Sequence, residues 1–250
     1  MYNNDLVSII TPMYNASAYV KDTIESVIKQ TYTNWEMIIV DDCSSDDSAS
    51  IVESFIQKDK RIKLYKQSNN SGIAKSRNLA LEKAKGRYVA FLDSDDTWYP
   101  NKLNIQIKYM QEKNIHFCHS ACDIMLEDGS KTQKVRYVPE IVDYKGLLPG
   151  DVIACLTVVI DRNFIANPTM PYIRHEDYAA WLDILKTGEK AYGINEILAT
   201  YRVSAKSDSG NKIRAAKWNW DIYRKYLKIP FLKSVYYFIG YAFKAVAKRL

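Results

Sequence analysis

Tyr88-Val89-Ala90-Phe91-Leu92-Asp93-Ser94-Asp95-Asp96 is the stretch from which the fold can be read. Five apolar residues without alternation predict a strand buried on both faces, and such strands belong to parallel sheets covered by helices. Three carboxylates follow at its end. Crowded carboxylates repel one another and lose hydration, which is costly without a cation. A hard divalent ion, Mg²⁺ or Mn²⁺, relieves that cost, since it takes oxygen ligands and bridges to diphosphate oxygens. The plainer alternative is that an aspartate caps the helix beginning near Asn101.

Upstream, the same grammar repeats. Val7-Ser8-Ile9-Ile10 reads as a strand that Thr11-Pro12 ends, and Ser17 precedes a helical pattern with Val20, Ile24, Val27 and Ile28 on one face. Residues 36–40 form a second strand running into Asp41-Asp42. Residues 45–59 are helical, 62–65 a third strand, and 73–85 a third helix stopped by Gly86. Strand and helix alternate at a spacing of about 30 residues, as βαβ units do, and ligands bind beyond the carboxyl ends of such strands. Asp41-Asp42 therefore forms a second acidic cluster at a strand end. Ser45 or Asp46 can cap the next helix, which leaves carboxylates able to accept an imide N–H or a ribose hydroxyl. Gly72 through Asn78 opens the third helix, where anionic oxygens are favoured and Arg77 adds a bidentate donor.

Downstream the pattern is less regular. It predicts a helix over 101–113, strands over 115–125 and 131–138 around the turn Glu127-Asp128-Gly129-Ser130, and an apolar strand over 152–160. A helix over 178–186 follows, then two short strands near Ala191 and Leu198. Two basic helices, over 212–228 and after Pro230, end the chain.

Hydrophobic residues make up 47% and charged residues 26% of the 250, enough for a buried core. The net charge of +6 is uneven. Residues 212–250 hold ten Lys and Arg against Asp221 alone, so this segment carries +9 and the rest −3. A nucleic-acid protein would place the basic patch on the folded domain, so no nucleic acid is expected. The four cysteines form no CxxC pair and read as reduced thiols of a cytosolic protein. The short apolar run after Asp5 predicts no signal peptide.

Four segments, Val7 through Asn15, Ile39 through Asp46, Gly72 through Asn78 and Phe91 through Asp96, stand in the order and spacing of the family 2 glycosyltransferases, which the chain resembles closely over its first 100 residues or so. The resemblance implies an inverting enzyme with a GT-A fold: α/β, a mostly parallel central sheet flanked by helices. It implies that Thr11, Asp42 and Arg77 contact the nucleotide base and ribose, with Asp41, Pro12 and Tyr14 beside them. Asp93 and Ser94 would face the sugar or ribose, and Asp95, with Asp93 and Asp96, would hold Mn²⁺ or Mg²⁺. The family commonly has glycine where this chain has Cys43. His175-Glu176-Asp177-Tyr178 is similar to the family's Glu-Asp motif, whose aspartate is the catalytic base. Asp177 is thus the expected base and Glu176 the alternative, although two acids at a helix start are favourable by dipole alone. Arg202 and the loop 204–212 fall where family members have a loop that closes over donor phosphates.

The reading is therefore a glycosyltransferase domain over 1–211, with its nucleotide-sugar half in 1–100 and its acceptor half in 101–211, and a basic tail over 212–250. The donor is expected to be a nucleotide diphosphate sugar, UDP first, and the acceptor a glycan or lipid-linked hydroxyl in bacterial surface polysaccharide synthesis. The ten uncharged residues 234–243 are too few to cross a bilayer. Flanked by Lys and Arg, they suit the anionic inner face of the cell membrane, with packing on the domain or a homo-oligomer contact as alternatives. Two rival functions stand. A nucleotidyltransferase would need a Gly-rich basic loop after the first strand, where Thr11 through Ala16 offers none. A non-catalytic nucleotide-binding protein would have no need of every acidic position.

Overall fold

The structure, a computed structural model, describes residues 3–166, 168–203 and 212–247. Its centre is one sheet in the order β3-β2-β1-β4-β9-β6-β10-β5, built from β1 (Asn3–Met13), β2 (Trp35–Asp41), β3 (Ile62–Lys66), β4 (Gly86–Phe91), β5 (Thr97–Trp98), β6 (Phe117–Leu126), β9 (Val159–Asp161) and β10 (Ala191–Val203). β7 (Lys131–Arg136) pairs with β6 and β8 (Ile141–Val142) with β10. The first half, β3-β2-β1-β4, is wholly parallel. Beyond it the sheet is mixed, because β9 runs antiparallel to both β4 and β6. A loop and a short 3₁₀ turn (Cys155–Thr157), not a crossover helix, lead into β9, so nothing forces it to run parallel.

The strands of the first half bury both faces. Val7, Ile9 and Met13 of β1 join Val20, Ile24, Val52, Leu103 and Ile107 in one core, which receives α1 (Val20–Ile28), α2 (Ser48–Ile56) and α4 (Lys102–Lys113). Ile10 joins Leu81, Phe91, Phe117 and Trp181 on the other side, under α3 (Ile73–Lys83), α5 (Tyr144–Leu147) and α6 (Glu176–Lys186).

Several local expectations differ from the outcome. β1 continues through Thr11 and Pro12 to Met13, with Pro12 opposite Val40, so proline does not end it. Gly86 is not a helix cap: α3 ends at Lys83, and a Cβ on Gly86 would lie 2.5 Å from the Leu6 carbonyl oxygen. Close approach of β4 to β1 is what requires the glycine. The apolar run 152–160 divides into the 3₁₀ turn and the three-residue β9, and the two strands expected near Ala191 and Leu198 are one strand, β10, with two register shifts.

The basic tail is partly integrated. α7 (Lys212–Asp221) leads into a π turn (Ile222–Tyr226), whose Ile222 and Tyr223 are buried in the core beneath α6. Tyr223 donates to the Leu148 carbonyl. α8 (Phe231–Ala247) follows, with Tyr237 and Phe238 against the same core. Among the described residues, no helix is long and apolar enough to cross a membrane. The loop 204–211, expected to close over the donor, lies outside the described residues.

α6 is anchored by Trp181, fully buried and set against Phe91 and Phe117 at centroid distances of 5.4 and 5.3 Å. Trp181→Ala is expected to cost about 3–5 kcal/mol in urea denaturation, whereas Tyr137→Ala, at an exposed ring, should stay within about 0.5 kcal/mol.

Candidate active site

β1, β2, β4, β6 and β10 run in the same direction, so their carboxyl ends share one edge of the sheet. β9 runs against them, so the 3₁₀ turn before it reaches the same edge. Three loops and the start of α6 meet there.

The first junction lies between the ends of β1 and β2. Asn15, in the left-handed region at φ 47°, donates its amide to Ser44 Oγ at 2.9 Å and accepts the Ser45 amide at 2.9 Å. Asp46 accepts the Ser17 and Ser48 amides, both at 3.0 Å. Burial alone would raise its pKa, but bonds from Ser48 and Ser17 hold it down, to about 2. Ser44, Ser45 and Asp46 are thus stitches between loops, while Tyr14 stands exposed beside them. Thr11 is fully buried, and its hydroxyl has no partner among the described residues. Cys43 adopts φ 64°, a conformation that costs a residue with a Cβ roughly 1–2 kcal/mol and explains the glycine that family members carry there.

Asp41 accepts the Ser44 amide at 3.1 Å. Asp42, expected at the base, is buried and accepts three bonds at 2.7 Å: Ser71 N–H and Gln67 Nε2 on Oδ1, and Gly72 N–H on Oδ2. It ties the end of β2 to the start of α3. Gly72 sits at φ 91°, which only glycine adopts without strain, and so presents its amide to that carboxylate.

The second junction is built on Arg77. Its guanidinium is almost fully buried and donates Nη2 to Asp93 Oδ1 and Nη1 to Glu176 Oε1, both at 2.5 Å. Residues 16 and 99 positions away in the chain thus share one cation. Burial pushes the Glu176 carboxyl up, to about 7, while Arg77 pulls it back. Asp177, on the same turn, remains partly exposed, and its carboxylate accepts only the neighbouring Tyr178 amide among the described residues, at 2.8 Å. Cys155, on the 3₁₀ turn, is buried against this group, with its thiol pushed well above its ordinary range by burial and lowered in part by Arg77. Sequence reasoning missed Cys155, Gln67 and Asn78. Asn78 exchanges two 2.8 Å bonds with the Met170 backbone and so fixes the loop before α6. An asparagine directly after Arg77 was the available signal.

The third junction is the acidic loop itself. Asp93 and Asp95 are partly exposed and Ser94 is buried. Burial, then Asp93, pushes the Asp95 carboxyl up to about 6. Asp96, expected among the metal ligands, is buried with Oδ1 accepting the Arg202 amide at 2.8 Å. Burial, then Asp95 and Asp93, holds its pKa well above the carboxylate range. The Arg202 guanidinium donates to the carbonyls of Asp95 at 2.8 Å and Glu127 at 3.1 Å and faces Asp22 at 3.5 Å. It locks the loop to β10. Among the described residues, no three His, Cys, Asp or Glu side chains converge as a metal cage. Asp95 and Asp93 nonetheless fit an ion of the Mg²⁺ type, which binds one or two carboxylates and completes its shell from diphosphate and water.

Residues 8–156 match the family described as Glycosyl transferase family 2, and the chain belongs to that family. It is 46% identical over 246 residues, 98% of each chain, to TuaG of Bacillus subtilis (strain 168), named as a teichuronic acid biosynthesis glycosyltransferase. It is 40% identical over 244 residues, 97% of this chain and 94% of the relative, to WfgD of Escherichia coli, a UDP-Glc:alpha-D-GlcNAc-diphosphoundecaprenol beta-1,3-glucosyltransferase. In fold it is similar to Staphylococcus aureus TarS in complex with UDP-GlcNAc, with TM-score 0.71 at 20% identity over 87% of this chain and 64% of that one. It is similar too to the mannosyltransferase PcManGT of Pyrobaculum calidifontis in complex with GDP-Man and Mn²⁺, with TM-score 0.71 at 18% identity over 96% and 73%. The protein is thus a glycosyltransferase of the GT-A fold.

A raised carboxyl makes stability fall with pH. The contribution of Asp95 is present below about pH 4 and is lost as pH rises through about 6, where the folded chain must ionise it. In chelator, the melting temperature of Asp95→Asn relative to the natural chain is expected to be higher at pH 8 than at pH 5, and Mn²⁺ with UDP should stabilise only the natural chain. Differential scanning fluorimetry reads both.

Proposed function

We propose that the protein moves a sugar from a UDP-sugar to a hydroxyl of a lipid-diphosphate-linked glycan, inverting the anomeric carbon, with Asp177 as general base. The observation that carries this reading is the division of labour on α6. Arg77 engages Glu176, and Asp177 keeps its carboxylate beside the same edge. An acceptor hydroxyl is a poor nucleophile at neutral pH, and a positioned base contributes roughly 10²–10⁴-fold. One base and one displacement put the new bond on the face opposite the leaving nucleotide.

The nucleotide would lie across the ends of β1 and β2, over Thr11, Pro12, Tyr14, Asp41 and Asp42. Asp42 and Arg77 shape this floor, Asp42 by holding the Ser71 and Gly72 amides and Arg77 by fixing Asp93. Asp93 and Ser94 would face the sugar. Asp95, with Asp93, would hold Mn²⁺ or Mg²⁺, which when bound supplies Lewis-acid stabilisation of the leaving diphosphate; Asp96 and Arg202 keep the loop that presents them. UDP as the donor nucleotide rests on the donor named for WfgD, and the lipid diphosphate on its acceptor.

A lipid-linked acceptor places the work at a membrane surface. Leu232, Tyr236, Ile239 and Phe243 recur at i, i+4, i+7 and i+11 on α8 and are all exposed, Leu232 by 81%. They point away from the face that carries Tyr237 and Phe238. With the +9 charge of the tail, this stripe suits the anionic inner leaflet, and the same charge on two copies opposes a dimer through it.

In single-turnover assays, Asp177→Asn is expected to lose at least about 10²-fold in rate while calorimetry finds UDP affinity nearly unchanged. A near-normal rate, or NMR showing retained configuration, would overturn the base assignment. Glu176→Gln should lower the melting temperature first, since it leaves Arg77 under-compensated. For the membrane, Leu232→Asp with Tyr236→Asp should abolish sedimentation with anionic liposomes, and unchanged sedimentation would end that part of the reading.

A further inference from the structure

We infer that Trp218 of α7 is a positioning residue for the chemical step, acting through His175 on the turn that carries Asp177; this rests on the base assignment above. His175 occupies the left-handed region at φ 57° and ψ 48°, immediately before Glu176. A residue with a Cβ stays there only when its surroundings over-determine it. Among the described residues, the His175 side chain itself makes no cap bond to this end of α6. One restraint is the Arg77–Glu176 pair on the inner side. A second comes from the tail. The Trp218 ring meets the His175 ring edge-on at 5.2 Å and 76°, and the Arg174 guanidinium lies 5.6 Å from the same Trp218 ring. Two consecutive residues ahead of the catalytic pair thus rest on one indole.

α7 is itself fixed to the first turn of α6. Tyr178, next to Asp177, donates its hydroxyl to the Leu148 carbonyl at 2.9 Å. Tyr223, just past α7, donates to the same carbonyl and accepts from Asn219 at 2.9 Å. One carbonyl therefore ties the α6 turn to the segment carrying Trp218. The acids lie within the first 211 residues, and one of the restraints on their turn comes from α7.

The test is steady-state and single-turnover kinetics on the full chain with UDP-sugar, Mn²⁺ and a lipid-diphosphate acceptor, beside UDP calorimetry and thermal melting. Trp218→Ala is expected to lower kcat by about 10–100-fold, the size that a misplacement near 1 Å produces. UDP affinity and donor KM should stay within about two-fold, because the nucleotide floor lies on β1, β2 and α3. Trp218→Phe keeps a ring edge and should restore most of the rate. His175→Gly, which adopts the turn but lacks the ring, should lose rate as well, and the double variant should be no slower than the worse single one. If Trp218→Ala does not fold, Trp218→Leu carries the same test. A kcat within two-fold of the natural chain, additive losses in the double variant, or a Phe variant no better than Ala would each overturn the inference. Failure of the base assignment shows separately, as a near-normal rate in Asp177→Asn.

Discussion

A buried guanidinium cannot be left without counter-charge. The effective cost of stripping such an ion of water is several kcal/mol, and one carboxylate at an imperfect angle does not offset it. Arg77 therefore draws in two, Asp93 from the end of β4 and Glu176 from the start of α6. This requirement joins the half of the chain that carries the acidic loop to the half that carries the turn of Glu176 and Asp177. Breaking it by removing one partner is a loss of about 3–5 kcal/mol. Other groups gather around it: Cys155 is buried within reach of its charges, Asn78 pins the approach to α6, and Asp177 is the carboxylate of the turn to which Arg77 donates no hydrogen bond.

The same logic recurs at smaller scale around the site. Asp42 would be an unstable buried anion, and two backbone amides with one side-chain amide satisfy it. Asp96 escapes the problem differently, taking one amide from Arg202 and resting well above the carboxylate range. Only Asp93 and Asp95 of the acidic loop stay partly exposed. A run of four residues that looks uniformly ligating thus divides into presenters and supports. The division follows from which way the chain turns after β4, with Arg202 on β10 pinning the second half of the loop.

The C-terminal segment has two apolar faces in different surroundings. Tyr223, Tyr237 and Phe238 belong to the core beneath α6, whereas Leu232, Tyr236, Ile239 and Phe243 stand in solvent. A helix apolar on opposite sides satisfies one side by packing on its own domain, and here the other side stays exposed. Because α7 also touches His175, the outer face of α8 and the first turn of α6 lie on one continuous piece of structure.

Alternation of unbroken apolar strands with amphipathic helices determined the parallel half of the sheet directly, since a strand buried on both faces has few other places to go. Carboxylates at strand ends marked the site, and four motifs in order marked the family. Pairings between distant residues were not legible. Arg77 reads as a helix-terminus donor until Glu176, 99 residues on, is brought against it. Asp42 reads as a free acceptor until the 67–72 loop folds over it. Gly86 reads as a helix stop until β1 is seen passing 2.5 Å from where its Cβ would be. The split of 152–160 and the antiparallel β9 depend on sheet neighbours that no local pattern encodes. Sequence periodicity reports what a segment must bury. Which buried charge meets which counter-charge, and which acid stays outside those pairs, is decided only when the tertiary structure has fixed every desolvated partner.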